Sequence, residues 1–185
     1  IELSSFQLEL LNKAKIDVGV ILNISDDHMD RYDSFTQYFQ AKAKLFNLAE
    51  INIINRDDEK LEALKHKANL SFGVSESHNK DDYILRDSNQ PPFVERGDGF
   101  AIELKSLKLI GEHNKLNVMA AIACMQSALP KFNQFKIDNL KGVNHRLEWL
   151  KNVQGIEFYN DSKATNINAT ITALKSFDKK NIFLI

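Results

Sequence analysis

An α/β protein built on a largely parallel sheet is the fold class that this sequence predicts, and three observations predict it. Short β-branched runs alternate with segments of helical period along the chain. The clearest run, Asp17–Ile24 (DVGVILNI), is continuous and apolar, as a strand buried on both faces requires. Residues 75–110 then change character: short strand-like pieces are punctuated by Pro91-Pro92 and Gly97-Asp98-Gly99, a pattern of antiparallel hairpins.

In chain order, residues 4–15 read as a helix, with Phe6, Leu10, Leu11 and Ala14 as its apolar positions. The Asp17–Ile24 strand follows, then a helix over 34–49, a strand over 51–55, a helix over 58–68 and a strand near 70–74. Within the hairpin region the strands are Tyr83–Arg86, Phe93–Arg96, Phe100–Leu104 and Leu107–Ile110. A long helix from Glu112 to Leu129 stops at Pro130. A boundary falls near Gly142, dividing the chain into 1–142 and 143–185. The second part holds a strand pair (Leu147–Leu150 and Ile156–Asn160), a helix over 166–177 and a terminal strand, Asn181–Ile185. The charged run 56–69 reads as the wet face of a surface helix.

Composition narrows the function classes. The 185 residues carry 24 Lys+Arg against 25 Asp+Glu, without the basic excess of a general nucleic-acid or anionic-membrane binder. No apolar run approaches a membrane span, so no membrane insertion is expected. One cysteine, Cys124, excludes an intramolecular disulfide and fits a reducing, cytoplasmic setting. The chain begins at Ile1 and stops within an apparent strand, so both ends read as cut and the expectation is an interior slice of a longer protein.

Four groups of residues could carry chemistry. Asn23 to Arg31 (NISDDHMDR) follows the carboxyl end of a buried strand, where open α/β sheets place ligands. Its Asp26, Asp27, His28 and Asp30 offer oxygen and imidazole ligands to a divalent cation, or simply make a polar capped loop. In the 34–49 helix, Phe35, Tyr38, Phe39, Leu45, Phe46 and Ala49 form the apolar stripe, and Lys42 falls within it. Lys44, about 200° further round, should face solvent. An inward lysine has a depressed pKa and can act as a base or take up carbon dioxide as a carbamate; the plainer alternative is that it snorkels out at the edge. Asn114 and Asn117 share one face at the start of the long helix and suit either the edge of a base or helix capping. Finally His145-Arg146 and Asn160 to Asn166 (NDSKATN) flank a strand end. Arg146 there could clamp a phosphate, Asp161 a ribose, and Lys163 and Thr165 further anions; the alternative is a solvated loop. There is no GxxxxGK[ST] phosphate loop in the chain.

Together and in order, ELSSFQLE (2–9), LNISDDHMDRY (22–32), YFQAK (38–42), HNKLN (113–117), HRLE (145–148) and NDSKATN (160–166) resemble the Mur ligase family of peptidoglycan synthesis. NDSKATN is most similar to the branch that adds D-glutamate, since ligases for other amino acids typically carry a His or Asn before a Pro there. The resemblance implies a three-domain enzyme. Residues 1–142 would supply the later part of its central ATP-binding domain and 143–185 the start of a Rossmann-like carboxyl-terminal domain. It implies ATP-driven amide formation between UDP-N-acetylmuramoyl-L-alanine and D-glutamate through an acyl phosphate, with ATP as co-substrate and two Mg2+ ions, in a monomeric cytoplasmic enzyme.

By the same resemblance Glu2, His28 and Lys42 (as its carbamate) are magnesium ligands, and His28, Ser4, Gln7 and Thr165 lie by the UDP-sugar or amino-acid substrate. Asn114 and Asn117 face adenine, Arg146 the phosphates and Asp161 the ribose, while Lys163 sits where nucleotide and amino acid meet. The catalytic set is Lys42, His28, Arg146 and Lys163. With the phosphate loop and UDP-binding domain lying outside it, the chain alone is expected to be inert. Other readings are a related ligase with a different acceptor, such as a folate polyglutamylating enzyme, and a non-catalytic module that keeps the fold.

Overall fold

A computed structural model of the protein describes residues 1–88, 91–177 and 181–185. Its frame is a six-stranded sheet in simple sequence order: β1 (Ile16–Ile21), β2 (Ala49–Asn55), β3 (Leu70–Gly73), β4 (Tyr83–Arg86), β5 (Phe93–Arg96) and β6 (Ala101–Glu103). The first four strands pair in parallel, and β5 and β6 return antiparallel. The expected parallel sheet and its hairpin region are therefore both present.

Strand alternation sorts the side chains into two cores. On β2, Ile51 and Ile53 face one cluster with Phe72, Tyr83, Leu85 and Val94; it is covered by Val118, Met119, Ile122 and Ala123 of α4 (Glu112–Ala128). Ile54 faces the other, with Ile21 of β1, Ile24 and Tyr32 of the loop beyond it, Tyr38 and Ala41 of α2 (Phe35–Ala43) and Phe46 of α3 (Leu45–Leu48). Gly19 makes that second layer possible. A Cβ there would lie 2.8 Å from Ala49 Cβ and 3.1 Å from Leu45 Cγ, so any larger residue would push α3 off β1. A separate two-stranded antiparallel sheet, β7 (Glu148–Val153) and β8 (Ile156–Asn160), precedes α5 (Ile167–Lys175).

Several elements differ from expectation. The first helix, α1 (Ser5–Leu10), is only six residues long. The 34–49 helix breaks at Lys44 into α2 and α3. Lys44 does not face away into solvent: its ammonium donates to the Glu9 carbonyl at 2.9 Å and to Asn12 Oδ1 at 3.0 Å. It thereby satisfies a carbonyl that α1 leaves open at its carboxyl end. The 58–68 segment is a 3-10 helix, Glu59–Lys67, that buries Leu61 and Leu64. Leu107–Ile110 forms no strand, because the chain turns at Leu104, whose carbonyl accepts from Leu107 N–H at 2.9 Å. Asn181–Ile185 also has no strand.

The charged run is not simply a wet face. At the end of β2, Arg56 donates to the carbonyls of Tyr83 (2.9 Å), Gly73 (3.2 Å) and Ser75, and Asp57 accepts from Val74 N–H and from the amide and hydroxyl of Ser75. Asp58 accepts from Ile24 N–H at 2.9 Å and from Lys60 N–H at 3.0 Å, which caps the 3-10 helix and ties down the loop after β1.

Candidate active site

The loop from Leu22 to Ser34 leaves the carboxyl end of β1, and α2 starts beyond it with Ser34 Oγ accepting from Gln37 N–H. Helical period then brings Lys42 round beneath the start of α1. Its side chain is half-buried, and the ammonium donates to the Leu3 carbonyl at 3.4 Å. Burial pushes the Lys42 pKa down; Glu2 and Asp27 stand near enough to pull it partly back up. Three residues remote in sequence, Glu2, Asp27 and Lys42, are thus neighbours around one amine.

His28 stands at φ 56°, in the left-handed region, with its N–H donating to Asp27 Oδ1 at 3.0 Å. Its ring packs 5.0 Å from the Phe6 ring and 6.5 Å from Tyr38, and its Nε2 lies 3.8 Å from Asp27 Oδ2. Tyr32 stacks on Phe6 at 6.0 Å, closing an aromatic floor. Burial, with Asp27 and Tyr32 nearby, raises the Tyr38 phenol. The cation centre suggested by the Asp26-Asp27-His28-Asp30 spacing is not assembled: Asp26 pairs with Lys60 at 3.0 Å, and among the described residues no three His, Cys, Asp or Glu side chains converge on one metal position.

Ser4 and Gln7 form a reciprocal capping box for α1: Ser4 Oγ accepts from Gln7 N–H at 3.2 Å, and Gln7 Oε1 accepts from Ser4 N–H at 2.8 Å. Their first role is to start α1 and so hold Glu2 and Leu3 over Lys42.

The second group gathers at the amino end of α4. Gly111, at φ 94°, opens that helix with no side-chain cap, and Asn114 Nδ2 donates back to the Ile110 carbonyl at 2.7 Å. Asn114 therefore does not cap the helix as an acceptor; Asn117, one turn on, is exposed. A Cβ on Gly111 would crowd the Ser176 hydroxyl, just past α5, and the His113 ring, so those side chains would have to turn away, and the positive φ itself favours glycine. His113 Nδ1 lies 3.4 Å from Ser176 Oγ, and its ring is within electrostatic reach of Asp161 and Arg146.

Asp161 Oδ1 accepts from Leu147 N–H at 3.0 Å, and Lys163 N–H donates to the His145 carbonyl at 3.1 Å, which ties the His145-Arg146 turn to the end of β8. The Arg146 and Lys163 side chains are exposed. Thr165 lines a shallow open hollow of about 360 Å³ with Ala164, Asn166, Ile167, Thr170 and Ile171. Asn114, Arg146 and Asp161, spread over nearly fifty residues of sequence, thus belong to one corner of the molecule.

Burial, with Arg146 adding to it and Asp161 opposing, holds the His113 imidazole below its ordinary value. The folded chain therefore prefers neutral His113, while the unfolded chain takes up its proton near 6.5. The stabilising contribution is complete above that value and is lost as pH falls through the lower folded-state pKa. Urea titrations from neutral to mildly acidic pH should show declining stability, and His113→Gln should flatten the decline. An unaltered slope in the variant would assign the effect to other groups.

Among the described residues no helix is long and apolar enough to cross a membrane. The family profile for the Mur ligase middle domain matches residues 1–125. The UDP-N-acetylmuramoylalanine–D-glutamate ligase of Nitrosomonas europaea is 34% identical over 193 residues, covering 100% of this chain and 41% of the relative. That of Aliivibrio salmonicida is 38% identical over 178 residues, covering 94% of this chain and 39% of the relative. The chain thus spans about two fifths of the length of these curated relatives. Among solved structures, MurF ligase from Thermotoga maritima in complex with ADP superposes with a TM-score of 0.70 at 20% identity, covering 88% of this chain and 39% of that one. The UDP-N-acetylmuramate-alanine ligase MurC of Thermotoga maritima gives 0.66 at 21% identity, covering 94% and 40%. With its ordered motifs folded on the same α/β frame and a middle-domain match over most of its length, the chain belongs to the Mur ligase family.

Proposed function

We propose that the intact protein joins D-glutamate to UDP-N-acetylmuramoyl-L-alanine at the expense of ATP, in peptidoglycan precursor synthesis. The observation that carries this reading is the identity of 34–38%, across essentially the whole chain, to relatives named for that reaction. Residues 1–142 act as part of the ATP-binding domain and 143–185 as the start of the domain that receives the amino acid.

In this reading ATP phosphorylates the muramoyl-alanine carboxylate, the amine of D-glutamate attacks the acyl phosphate, and phosphate leaves as the amide forms. Asn114 and Asn117 hold the adenine, Asp161 the ribose and Arg146 the phosphates, where the amino end of α4 lies near the His145-Arg146 turn and the end of β8. Lys163 and Thr165 orient the incoming amino acid, and Ser4, Gln7 and His28 the muramoyl substrate.

Glu2, His28 and Lys42 would hold magnesium, but a lysine ammonium repels a cation. The set fits only after modification. The uncharged Lys42 amine attacks carbon dioxide, its nitrogen forms the new N–C bond and loses a proton, and the carbamate anion presents two oxygens. The half-buried amine with a lowered pKa suits that reaction. Bound magnesium supplies charge stabilisation for the transferring phosphoryl group.

Incubating the intact protein with UDP-N-acetylmuramoyl-L-alanine, ATP, magnesium and a panel of amino acids tests the reading. ADP and phosphate should appear with D-glutamate and not with L-alanine, L-lysine or folate acceptors. Turnover on another acceptor, or none with D-glutamate, would overturn it.

A further inference from the structure

We infer that Asp58 is a positioning residue for the loop that presents Asp27 and His28, an inference that rests on the ligase reading above. Asp58 stands just past the end of β2, yet one carboxylate oxygen accepts from the N–H of Ile24, 34 residues earlier, at 2.9 Å. The other accepts from Lys60 N–H at 3.0 Å and starts the 3-10 helix. The same side chain thus joins the end of β2 to the first turn of the loop beyond β1.

Ile24 is the inner end of that loop. Its side chain is buried at 5% exposure in the core beneath α2, so its N–H has no ready replacement partner in water. Tyr32, buried at 7%, pins the outer end. Between them His28 holds a left-handed backbone, and its carbonyl accepts from Arg31 N–H at 3.0 Å. The His28 ring therefore inherits its place from two fixed points, Ile24 and Tyr32. Another link on this side, Lys60 to Asp26, is an exposed ion pair of the kind that contributes little.

A carboxylate is required because two N–H donors must be met at once; an amide at this position offers one acceptor oxygen. Asp57, its neighbour, provides a matched comparison. It uses its own carboxylate on the Val74–Ser75 turn and touches nothing in the His28 loop by hydrogen bond.

The test compares Asp58→Ala, Asp58→Asn and Asp57→Ala in the intact protein. Two readouts are taken: the magnesium dependence of ligation, and deuterium exchange over residues 22–31. Asp58→Ala should lower kcat/KM by about 10- to 100-fold, as expected for a displaced active-site group. It should also raise the magnesium concentration giving half-maximal rate and speed exchange selectively in 22–31. Asp58→Asn, which keeps one acceptor, should fall between it and the parent, and serves if the alanine variant does not fold. Asp57→Ala should lose stability while keeping the parent's magnesium dependence and loop exchange. Parent-like magnesium dependence and exchange in both Asp58 variants would overturn the inference, as would an equal magnesium shift in Asp57→Ala. If the unaltered protein fails to ligate D-glutamate, the ligase reading is what fails, and the exchange comparison still decides whether Asp58 anchors the loop.

Discussion

Lys42→Ala is expected to reduce ligation by the intact protein on the order of 10³-fold or more, the equivalent of several kcal/mol of lost charge stabilisation. The expectation follows from where the helix puts this side chain. Position 42 lies on the apolar stripe of α2, and the amine is half-buried against the Leu3 carbonyl with Glu2 and Asp27 nearby. A surface lysine in that sequence position would be replaceable; an amine whose charged form is disfavoured by burial is available for covalent use. If the working group is its carbamate, acetate or formate added to the alanine variant should restore part of the rate by filling the vacated space with a carboxylate. Lys42→Arg should be as inactive as the alanine variant and should not respond, because its side chain fills the space and cannot be carbamylated. A Lys42→Ala rate equal to the parent's would exclude the carbamate role. Loss without rescue in the alanine variant would leave Lys42 acting as an amine.

The largest stability effect is expected at Tyr83. This ring is 0% exposed at the centre of the sheet, and its hydroxyl donates to Gln126 Oε1 at 2.6 Å while accepting from the Arg96 guanidinium at 2.8 Å. Tyr83→Ala removes the ring and leaves a cavity, and should cost about 3–5 kcal/mol in urea unfolding. Tyr83→Phe keeps the volume but leaves a buried carboxamide oxygen and an arginine short of a partner, and should cost about 1–3 kcal/mol. Gln126→Leu in the phenylalanine background should recover part of that loss, since the orphaned acceptor is then gone. A Tyr83→Phe variant as stable as the parent would show that the hydroxyl network contributes nothing net. The consequence reaches the active site, because Tyr83 fixes α4, and α4 carries Asn114 and Asn117 at its other end.

Much of the frame was legible from local pattern. The β1 and β2 runs, the hairpins of β4 to β6 and the seventeen-residue α4 all follow from apolar period and from proline and glycine punctuation. The spacing also marked Lys42 as a cation on an apolar stripe, but whether it turned inward or snorkelled out was settled only by its half-buried place against the Leu3 carbonyl. Errors arose where a long-range partner overrode local preference. Leu107 and Leu109 pack against the core without pairing as a strand, and an apolar run alone cannot distinguish those outcomes. Lys44 ends α2 while reaching to α1, and the spacing that put it in solvent held only for a straight, unbroken helix.

The role of Asp58 was the least legible. Within the run RDDEKLEALKHKAN each charge looked like surface, yet the first three side chains bind backbone groups of other segments, and only chain packing brings those segments to them. By itself, the sequence determined the α/β class, the family and the residue types available for nucleotide, carboxylate and cation chemistry. These depend on period and on ordered motifs, which are properties of neighbours along the chain. Only the tertiary structure decided that Glu2 and Asp27 stand within electrostatic reach of Lys42, that Asp161 and Arg146 stand within electrostatic reach of His113, and that Asp58 binds the Ile24 N–H at the start of the His28 loop. Those pairings span tens of residues, and their distances are set by how helices seat on a twisted sheet, which no local pattern encodes.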